Sequence, residues 1–339
     1  MRAALMITLA RGLVAPRRAS ISGRRALALR AAFDDEQWSL YASQSGRWEG
    51  IWTTYDDQGL EKMAHEGVWD VQLVPDDKAT HALEVPGPGG GARSIPVGTY
   101  ERGALGRQTC AGAGMVCGPS LLRSGLVSTE LLLRHGASRL RVTVQHAPAE
   151  GKDASAEPAL LCYRCVVARE RCDAALGAPT REVEQQRWAD VETPADGDDT
   201  HFWRGQSPWA WRRTWKGEAA VATGRGELTR YALDDGLVEA GDDWHESTRA
   251  GEASYNLALP GAVRVYAPQI IAAGVASPLR VAWMPNAKAL LRADATILAL
   301  EPADESGERF APPRLVAFRA DALDDNGPKA GDPVYVDPE

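Results

Sequence analysis

The sequence lacks several features that would point to a particular class of protein. No apolar run is long enough to cross a bilayer as a helix, so no membrane span is predicted. No Gly-x-Ser-x-Gly motif occurs, and Gly87–Gly91 lacks the Lys-Ser/Thr of a phosphate-binding loop. The six histidines are scattered and form no recognisable triad or metal motif. These absences predict a non-enzymatic protein without a metal or cofactor.

Acidic residues are absent from the first 32 positions, which carry seven arginines. Ala, Ser and Leu fill much of the rest, a composition typical of an organelle transit peptide. We therefore predict a transit peptide over 1–32, with a basic tail as the alternative. Without this segment, 31 basic residues stand against 46 acidic ones, a charge near −15. This balance argues against a nucleic-acid partner, because phosphates must be met by Lys and Arg.

Cysteine is scarce, with five residues, and its spacing does not favour a zinc site. Cys162 and Cys165 lie in a predicted strand, where residues three apart face opposite sides. Their sulfurs therefore cannot reach one metal without a bulge. Cys110 and Cys117 are too far apart for zinc-finger spacing. We expect buried or free thiols, with a thioredoxin-sensitive pair at Cys162 and Cys165 as the alternative.

Helical periodicity is also scarce, whereas short β-type segments are plentiful. A helix is predicted from Asp34, whose side chain can cap it, to Gly46, which can end it. Later segments are rich in branched and aliphatic residues and are bounded by Gly, Pro or charge, which favours sandwiches or barrels. The predicted strands are 68–74, 131–134, 140–145, 161–167, 217–223, 228–233, 253–259, 262–266, 279–283, 289–291, 296–300 and 314–319.

The stretch Gly46–Tyr55 (GRWEGIWTTY) places two tryptophans around a glycine in a predicted strand. Trp48, Gly50 and Trp52 would point to the same side of that strand. Glycine in a strand marks a sharp bend or a close backbone approach, as where a sheet closes into a barrel. We also predict that the Trp52 indole packs against the preceding helix. The candidates for closing the barrel or lining a ligand space are Trp48, Gly50, Trp52 and Tyr55.

A faint internal repeat predicts a second copy of this arrangement. Thr214–Gly217 (TWKG) resembles Arg47–Gly50 (RWEG), and Ser207-Pro208 before it is a helix-start pair. Trp215 and Trp283 are the corresponding candidates in the second copy. The sequence thus predicts an all-β protein of two consecutive antiparallel barrels, each preceded by a short helix. The predicted domains are 33–172 and 201–319, joined by a linker over 173–200 and followed by an acidic disordered tail over 320–339.

Two groups of residues resemble a calycin-like family of cyanobacteria, algae and plant plastids. The first is the Trp-x-Gly-x-Trp-x-x-Tyr opening at Trp48–Tyr55. The second is the closing region, made of Leu259–Val263 (LPGAV), Tyr266–Pro268 (YAP), Val281–Pro285 (VAWMP) and Leu290–Asp294 (LLRAD). The resemblance covers residues 33–319 and implies two lipocalin-like barrels in one chain. The chain departs from the family where Gly87–Gly91 looks inserted and where Ala219 replaces the second Trp of the second copy.

The resemblance also implies a function. One plant branch of the family is a stromal biogenesis factor that helps assemble the catalytic head of the chloroplast ATP synthase. We therefore expect an assembly factor in the plastid stroma, with the mitochondrion as the alternative location. The calycin group also includes pigment and lipid carriers, so binding of an apolar small molecule such as a tetrapyrrole or lipid is the alternative function. A packed interior would favour assembly, and an open apolar cavity of about 300 Å³ or more would favour a ligand.

A basic aromatic stretch, Trp209–Lys216 (WAWRRTWK), interrupts the acidic chain. Aromatic residues and arginine are common interface anchors. The candidates for binding a protein partner are Trp209, Trp211, Arg212 and Arg213. The resemblance implies that this partner belongs to the ATP synthase head. Stacking on a base and a plug at the end of a barrel are the other interpretations.

Overall fold

A computed structural model shows an antiparallel β protein, with one helix among the residues that it describes. The described residues are 23–87, 91–148, 159–172, 215–223, 227–233, 254–259, 261, 263–272, 274–286, 289–299 and 315–323. Several predictions lie outside them: most of the transit peptide, the linker 173–200, the helix start at Ser207-Pro208 and the partner candidates Trp209, Trp211, Arg212 and Arg213.

The helix α1 (Gly23–Ala42) precedes nine strands of the first half. It begins well before the predicted start at Asp34, because residues 24–32 consist only of Arg, Ala and Leu, which are strong helix formers. Within the described ranges, no helix combines the length and apolar character needed to cross a membrane. The strands are β1 (Gly46–Asp56), β2 (Glu61–Val74), β3 (Lys78–Pro86), β4 (Ala92–Glu101), β5 (Gln108–Ala111), β6 (Gly114–Leu121), β7 (Val127–His135), β8 (Ser138–Pro148) and β9 (Ala159–Arg171).

Eight strands follow in the second half. They are β10 (Trp215–Thr223), β11 (Glu227–Leu233), β12 (Ser254–Leu259), β13 (Val263–Pro268), β14 (Ile270–Ala272), β15 (Ala276–Asn286), β16 (Ala289–Leu298) and β17 (Leu315–Leu323). Two segments predicted separately, 289–291 and 296–300, belong to the single strand β16. The last strand also runs past residue 319, so the boundary predicted there is too early.

The first half forms one large antiparallel sheet that curls into a half-barrel. Its strand order is β4-β3-β2-β1-β9-β8-β7-β6-β5, so the first strand pairs with the last strand of the half. The path ends at β4 and β5, which are not neighbours in the sheet. The barrel is therefore open between these two strands.

The second half follows the same plan, with the order β11-β10-β17-β16-β15-β13-β12. Its first strand, β10, also pairs with its last strand, β17. The exception is β14, which leaves this sheet and pairs with the start of β9 in the first half. Nearby, the His146 Nε2 lies 3.0 Å from the carbonyl oxygen of Pro268.

One apolar core lies between the two halves, so the prediction of two consecutive barrels is not confirmed. The expected β-rich fold is confirmed, but side chains from both sheets belong to a single buried cluster. Representative members from the first sheet are Leu131, Leu140, Val142 and Val167, and from the second Val265, Val281, Leu291 and Ile297. Since these side chains are in contact, neither sheet buries its apolar face without the other.

Candidate ligand-binding site

The two faces of the first sheet differ in chemistry because side chains alternate along each strand. On β8, Leu140 and Val142 belong to the core shared with the second sheet. Arg139 and Arg141 therefore fall on the opposite face, which is the concave side of the half-barrel. Both arginines are almost completely buried there.

A cavity of about 90 Å³ lies on this concave side. It is bounded by the end of α1 and by strands β2 to β8, and it includes residues from both β4 and β5, where the barrel is open. Val97 on β4 is 42% exposed and stands at the mouth. The lining residues are Tyr41, Gln44, Trp69, Val71, His81, Val97, Tyr100, Gln108, Met115, Cys117, Glu130, Leu132, Arg139 and Arg141.

Glu170 holds the two arginines of the cavity wall together. Its carboxylate accepts hydrogen bonds from Arg139 Nε at 2.7 Å and from Arg141 Nη2 at 2.8 Å. Burial alone would raise the pKa of Glu170, but the guanidiniums of Arg139 and Arg141 outweigh it and lower that pKa. Arg141 also reaches Glu130 at 3.2 Å. Two guanidiniums are thus matched by two carboxylates.

Indole rings cover the flat faces of the same two guanidinium groups. Arg139 lies 4.2 Å from the ring centre of Trp48. Arg141 lies 4.1 Å from that of Trp69 and 4.7 Å from that of Trp52. These are cation–π distances, and such contacts are strongest where water is excluded.

His81 lies at the centre of an aromatic group in the cavity wall. Its ring stacks on Tyr41, with centroids 5.6 Å apart, and contacts Tyr100 at 4.9 Å. The Tyr41 hydroxyl forms a hydrogen bond with His81 Nε2. Burial, followed by the charges of Arg139 and Arg141, lowers the pKa of His81 to about 4. The imidazole is therefore neutral at physiological pH.

The helix is fixed above the cavity by a pair of hydrogen bonds from one side chain. Gln37 donates from Nε2 to the Cys110 carbonyl at 2.8 Å and accepts from the Cys110 amide at 2.7 Å. This pairing joins α1 to β5, which has one free edge in the sheet. It also places the end of the helix, with Tyr41 and Gln44, over the cavity.

The structure assigns different places to the two tryptophans of the opening stretch. Trp48 is fully buried, and its Nε1–H donates to the carbonyl of Gln44 just after α1, at 2.9 Å. Trp52 is only half-buried and contacts His65 and Trp69, so the prediction that it packs against the helix is wrong. The reason is the distance along the strand, because Trp52 lies about 13 Å further along β1 than Trp48 and so further from the end of α1.

Tyr55, Gly50 and Trp283 do not line the cavity, and for Trp215 only the strand pairing is described. Tyr55 is buried in the core shared with the second sheet, on the opposite face of β1 from Trp48. Trp283 packs partly buried against the same core. Gly50 lies between Trp48 and Trp52 where β1 and β9 approach closely, since a Cβ there would be 2.8 Å from the Cα of Glu170. Trp215 begins β10 and pairs with the last residue of β17.

The two cysteines of β9 contradict the expectation that they face opposite sides. Gln145 pairs with Arg164 and His146 with Cys162, so the register skips Tyr163. This bulge turns Cys162 and Cys165 to the same side, and both are buried in the shared core. Burial raises the pKa of Cys162 to about 12, which disfavours the thiolate form. Among the described residues, no group of His, Cys, Asp and Glu could hold a metal ion.

Most residues of the cavity were not found from the sequence. Trp69, His81, Tyr100 and Glu130 come from four different strands, and no local motif connects them. The alternation of arginine with apolar residues at 139–142 was a usable signal, since it indicates a strand with one polar buried face.

Comparison with known proteins bears on the fold. No protein-family profile and no curated protein matches this chain. A crystal structure from Nostoc punctiforme, of a DUF3598 family protein of unknown function, matches with a TM-score of 0.52 and 13% identity. The match covers 85% of this chain and 99% of the other. The two chains share a fold.

A second structure matches a smaller part of the chain. It is the S-type phycobiliprotein lyase CPES from Guillardia theta, with a TM-score of 0.23 and 11% identity, covering 42% of this chain and 97% of the other. A TM-score of 0.23 gives this likeness no weight in the assignment of the site.

Proposed function

We propose that the protein is a non-enzymatic binder of an apolar small molecule, of the tetrapyrrole or lipid type, and that the ligand enters the half-barrel of the first sheet. The observation that carries the proposal is the cavity itself. It combines aromatic walls, a few convergent polar groups and an opening between β4 and β5. Ligand sites in proteins have this composition.

The size of the cavity limits how much of a ligand it encloses. About 90 Å³ is far below the roughly 300–1,000 Å³ of a pocket that surrounds a drug-sized molecule. The proposed ligand therefore inserts one end beside Val97, and the rest lies along the opening between β4 and β5. This volume does not meet the criterion of 300 Å³ set from the sequence, so enclosure of a whole ligand is not part of the proposal.

The titratable groups of the cavity support binding rather than catalysis. His81 is neutral and already bonded to Tyr41. Burial raises the pKa of the Cys117 thiol to about 12, and Glu130 adds to that shift. Neither is a ready nucleophile or proton carrier near neutral pH. The assembly role and the plastid location remain predictions of the family resemblance, and no described contact favours that role over ligand binding.

The test is a titration of the full chain with a tetrapyrrole and, separately, with a fatty acid, in which tryptophan fluorescence reports binding. Val97→Arg narrows the mouth at an exposed position and should weaken binding at least tenfold. Leu73→Arg is the matched control, because Leu73 is 50% exposed on β2 and does not line the cavity. No saturable binding, or equal weakening by both variants, would contradict the proposal.

A further inference from the structure

The polar groups of the cavity are not equally available to a ligand. Arg139 and Arg141 have side chains that are only 1% and 4% exposed, and Glu170 is 0% exposed. Glu130 is 19% exposed. Since it lies on β7, within the sheet, and lines the cavity, its exposed part faces the cavity.

Glu170 and the indole rings contact both arginines, although Arg139 Nη2 forms no hydrogen bond of regular geometry among the described residues. Arg139 contacts Glu170 at 2.6 Å and the Trp48 ring at 4.2 Å. Arg141 contacts Glu170 at 2.8 Å and lies against the rings of Trp69 and Trp52. An anionic ligand would have to displace a buried carboxylate to reach Arg141, which leaves that carboxylate without one of its partners.

Glu130 retains capacity to accept hydrogen bonds. Its contacts with Arg141 Nη1 and Thr143 Oγ1 are both 3.2 Å long, and both reach Oε2. A carboxylate offers about four acceptor sites on its two oxygens. Within the described ranges, the Oε1 atom is therefore the acceptor that remains for a donor in the cavity.

Two glutamines in the cavity wall point to the same ligand chemistry. Gln44 and Gln108 are 4% and 8% exposed, and the Oε1 atom of each has no hydrogen-bond partner among the described residues. Burial raises the pKa of Tyr100, and a hydrogen bond from the side chain of Gln108 offsets part of that rise. An amide bonded to a phenol oxygen in this way donates from Nε2, so its oxygen remains an acceptor. Buried acceptors without partners are costly, and a ligand donor would relieve that cost.

We propose that Glu130 anchors a planar N–H donor group of the ligand, with Gln44 and Gln108 as secondary acceptors after small rotations of their amides. This inference rests on the proposed ligand-binding function of the cavity. It assigns a donor-rich end, such as an amidine-like or urea-like group, to the part of the ligand that enters.

The test uses three flat probes of the same shape, each at concentrations well below those that unfold proteins. Guanidinium is a charged donor, urea is a neutral donor, and nitrate only accepts. The readout is the indole N–H cross-peak of Trp69 in the ¹⁵N-labelled full chain, assigned with Trp69→Phe. Guanidinium should bind at least tenfold more tightly than nitrate. If charge contributes, urea should bind with an affinity between those of guanidinium and nitrate. If hydrogen bonding alone decides, urea should bind as tightly as guanidinium.

Two substitutions at Glu130 and one control locate the probe. Glu130→Gln removes the charge and should weaken guanidinium more than urea, whereas Glu130→Leu should abolish the preference of both over nitrate. Glu84→Gln, in an exposed ion pair with Arg47 outside the cavity, should change nothing. Circular dichroism checks that each variant is folded. If Glu130→Leu unfolds, the test is made with Glu130→Gln alone, provided that its Trp69 cross-peak is intact.

The outcomes separate this inference from the proposed function. Tighter binding of nitrate, equal binding of all three probes, or a guanidinium preference that survives both Glu130 variants would overturn the role of Glu130. Binding of a tetrapyrrole or fatty acid with no response to any flat probe would also overturn it, while the proposed function stands. Guanidinium binding lost in both Glu130 variants, without binding of any apolar ligand, supports the anchor and overturns the proposed function.

Discussion

The two sheets have the same strand plan but different inner faces. In the first, Gly50 on β1 pairs with Glu170 on β9, and Glu170 pairs with Arg139 on β8. At the corresponding register of the second, Gly217 pairs with Asp321, which pairs with Leu290. The glycine and the acid recur, whereas the arginine does not. A shared strand order therefore does not impose the same interior.

The neighbouring row shows the same divergence. Ala168 lies between Trp52 and Arg141 in the first sheet. In the second, Arg319 lies between Ala219 and Arg292. Cations are present in both, but alanine stands where the first sheet has an indole. At these matched register positions of the described strands, indole, guanidinium and carboxylate occur together in the first sheet and not in the second, which is why the ligand site is assigned to the first half.

The largest effect is expected from Glu170→Leu. This substitution leaves two buried guanidiniums with only Glu130 to balance them, and breaking a buried pair typically costs about 3–5 kcal/mol. Urea denaturation at pH 7 measures the loss in the free energy of unfolding. A variant that also replaces Arg139 and Arg141 by Met should recover much of the loss, because the unpaired charges are then gone. A loss below about 1 kcal/mol would contradict the role of this ion pair and remove the main difference between the sheets.

The same residue predicts how stability changes with pH. The pKa of Glu170 is lower in the folded chain than its ordinary value. Its contribution is therefore complete above the unfolded-state pKa of about 4.3 and declines as the pH falls through the folded-state value. Between pH 7 and acid conditions, the wild-type chain should lose more stability than Glu170→Leu, and parallel losses would contradict this assignment.

Trp48→Ala should have the next largest effect. Trp48 is fully buried and contacts both Arg139 and the end of α1, so its removal should cost about 3–5 kcal/mol. Trp52→Ala is the matched comparison and should cost about 1–2 kcal/mol, because Trp52 is only half-buried. Chemical denaturation of both variants distinguishes them, and equal losses would contradict the different places assigned to the two indoles.

A smaller effect is expected from Gly50→Ala, which tests whether the halves share the close approach of their first and last strands. A Cβ at Gly50 would meet the backbone of β9, so we expect a loss of about 1–3 kcal/mol. Gly217→Ala should cost a similar amount, because Gly217 has the same register position against β17. Gly91→Ala is the control, since a Cβ there has nothing within 4 Å. If Gly217→Ala leaves the free energy of unfolding unchanged, the two halves share their strand order but not the close approach of their first and last strands.

The sequence predicted local features of the fold better than it predicted the cavity. Alternation and turn residues located β7, β8 and most of the second half, because these signals lie within single strands. The strands β3, β4, β5 and β6 were not predicted, and neither was the crossing strand β14, whose partner β9 lies far along the chain. Two separate barrels were expected because nothing in a single segment reveals that its apolar face packs on the other sheet.

The predictions for individual side chains of the site failed for the same reason, because they depend on contacts between segments. The glycine in the opening stretch predicted a close approach, but which indole meets the helix depended on where α1 ends. The bulge that skips Tyr163 reversed the expected directions of Cys162 and Cys165. A bulge is a property of two paired strands, so spacing along one of them does not reveal it.

The smallest effect is expected from Tyr41→Phe. The substitution removes the hydroxyl that hydrogen-bonds His81 Nε2 and retains the ring that stacks on the imidazole. The net loss should be about 0.5–1.5 kcal/mol, the usual contribution of one buried hydrogen bond. Tyr163→Phe should cost close to nothing, since Tyr163 is 50% exposed on β9. NMR titration of His81 adds a second measurement, because burial is the main cause of its lowered pKa and the phenyl ring preserves that burial. A His81 pKa that stays near 4 in Tyr41→Phe would fit this account, and a return to an ordinary value would show that the hydroxyl, and not burial, keeps the imidazole neutral.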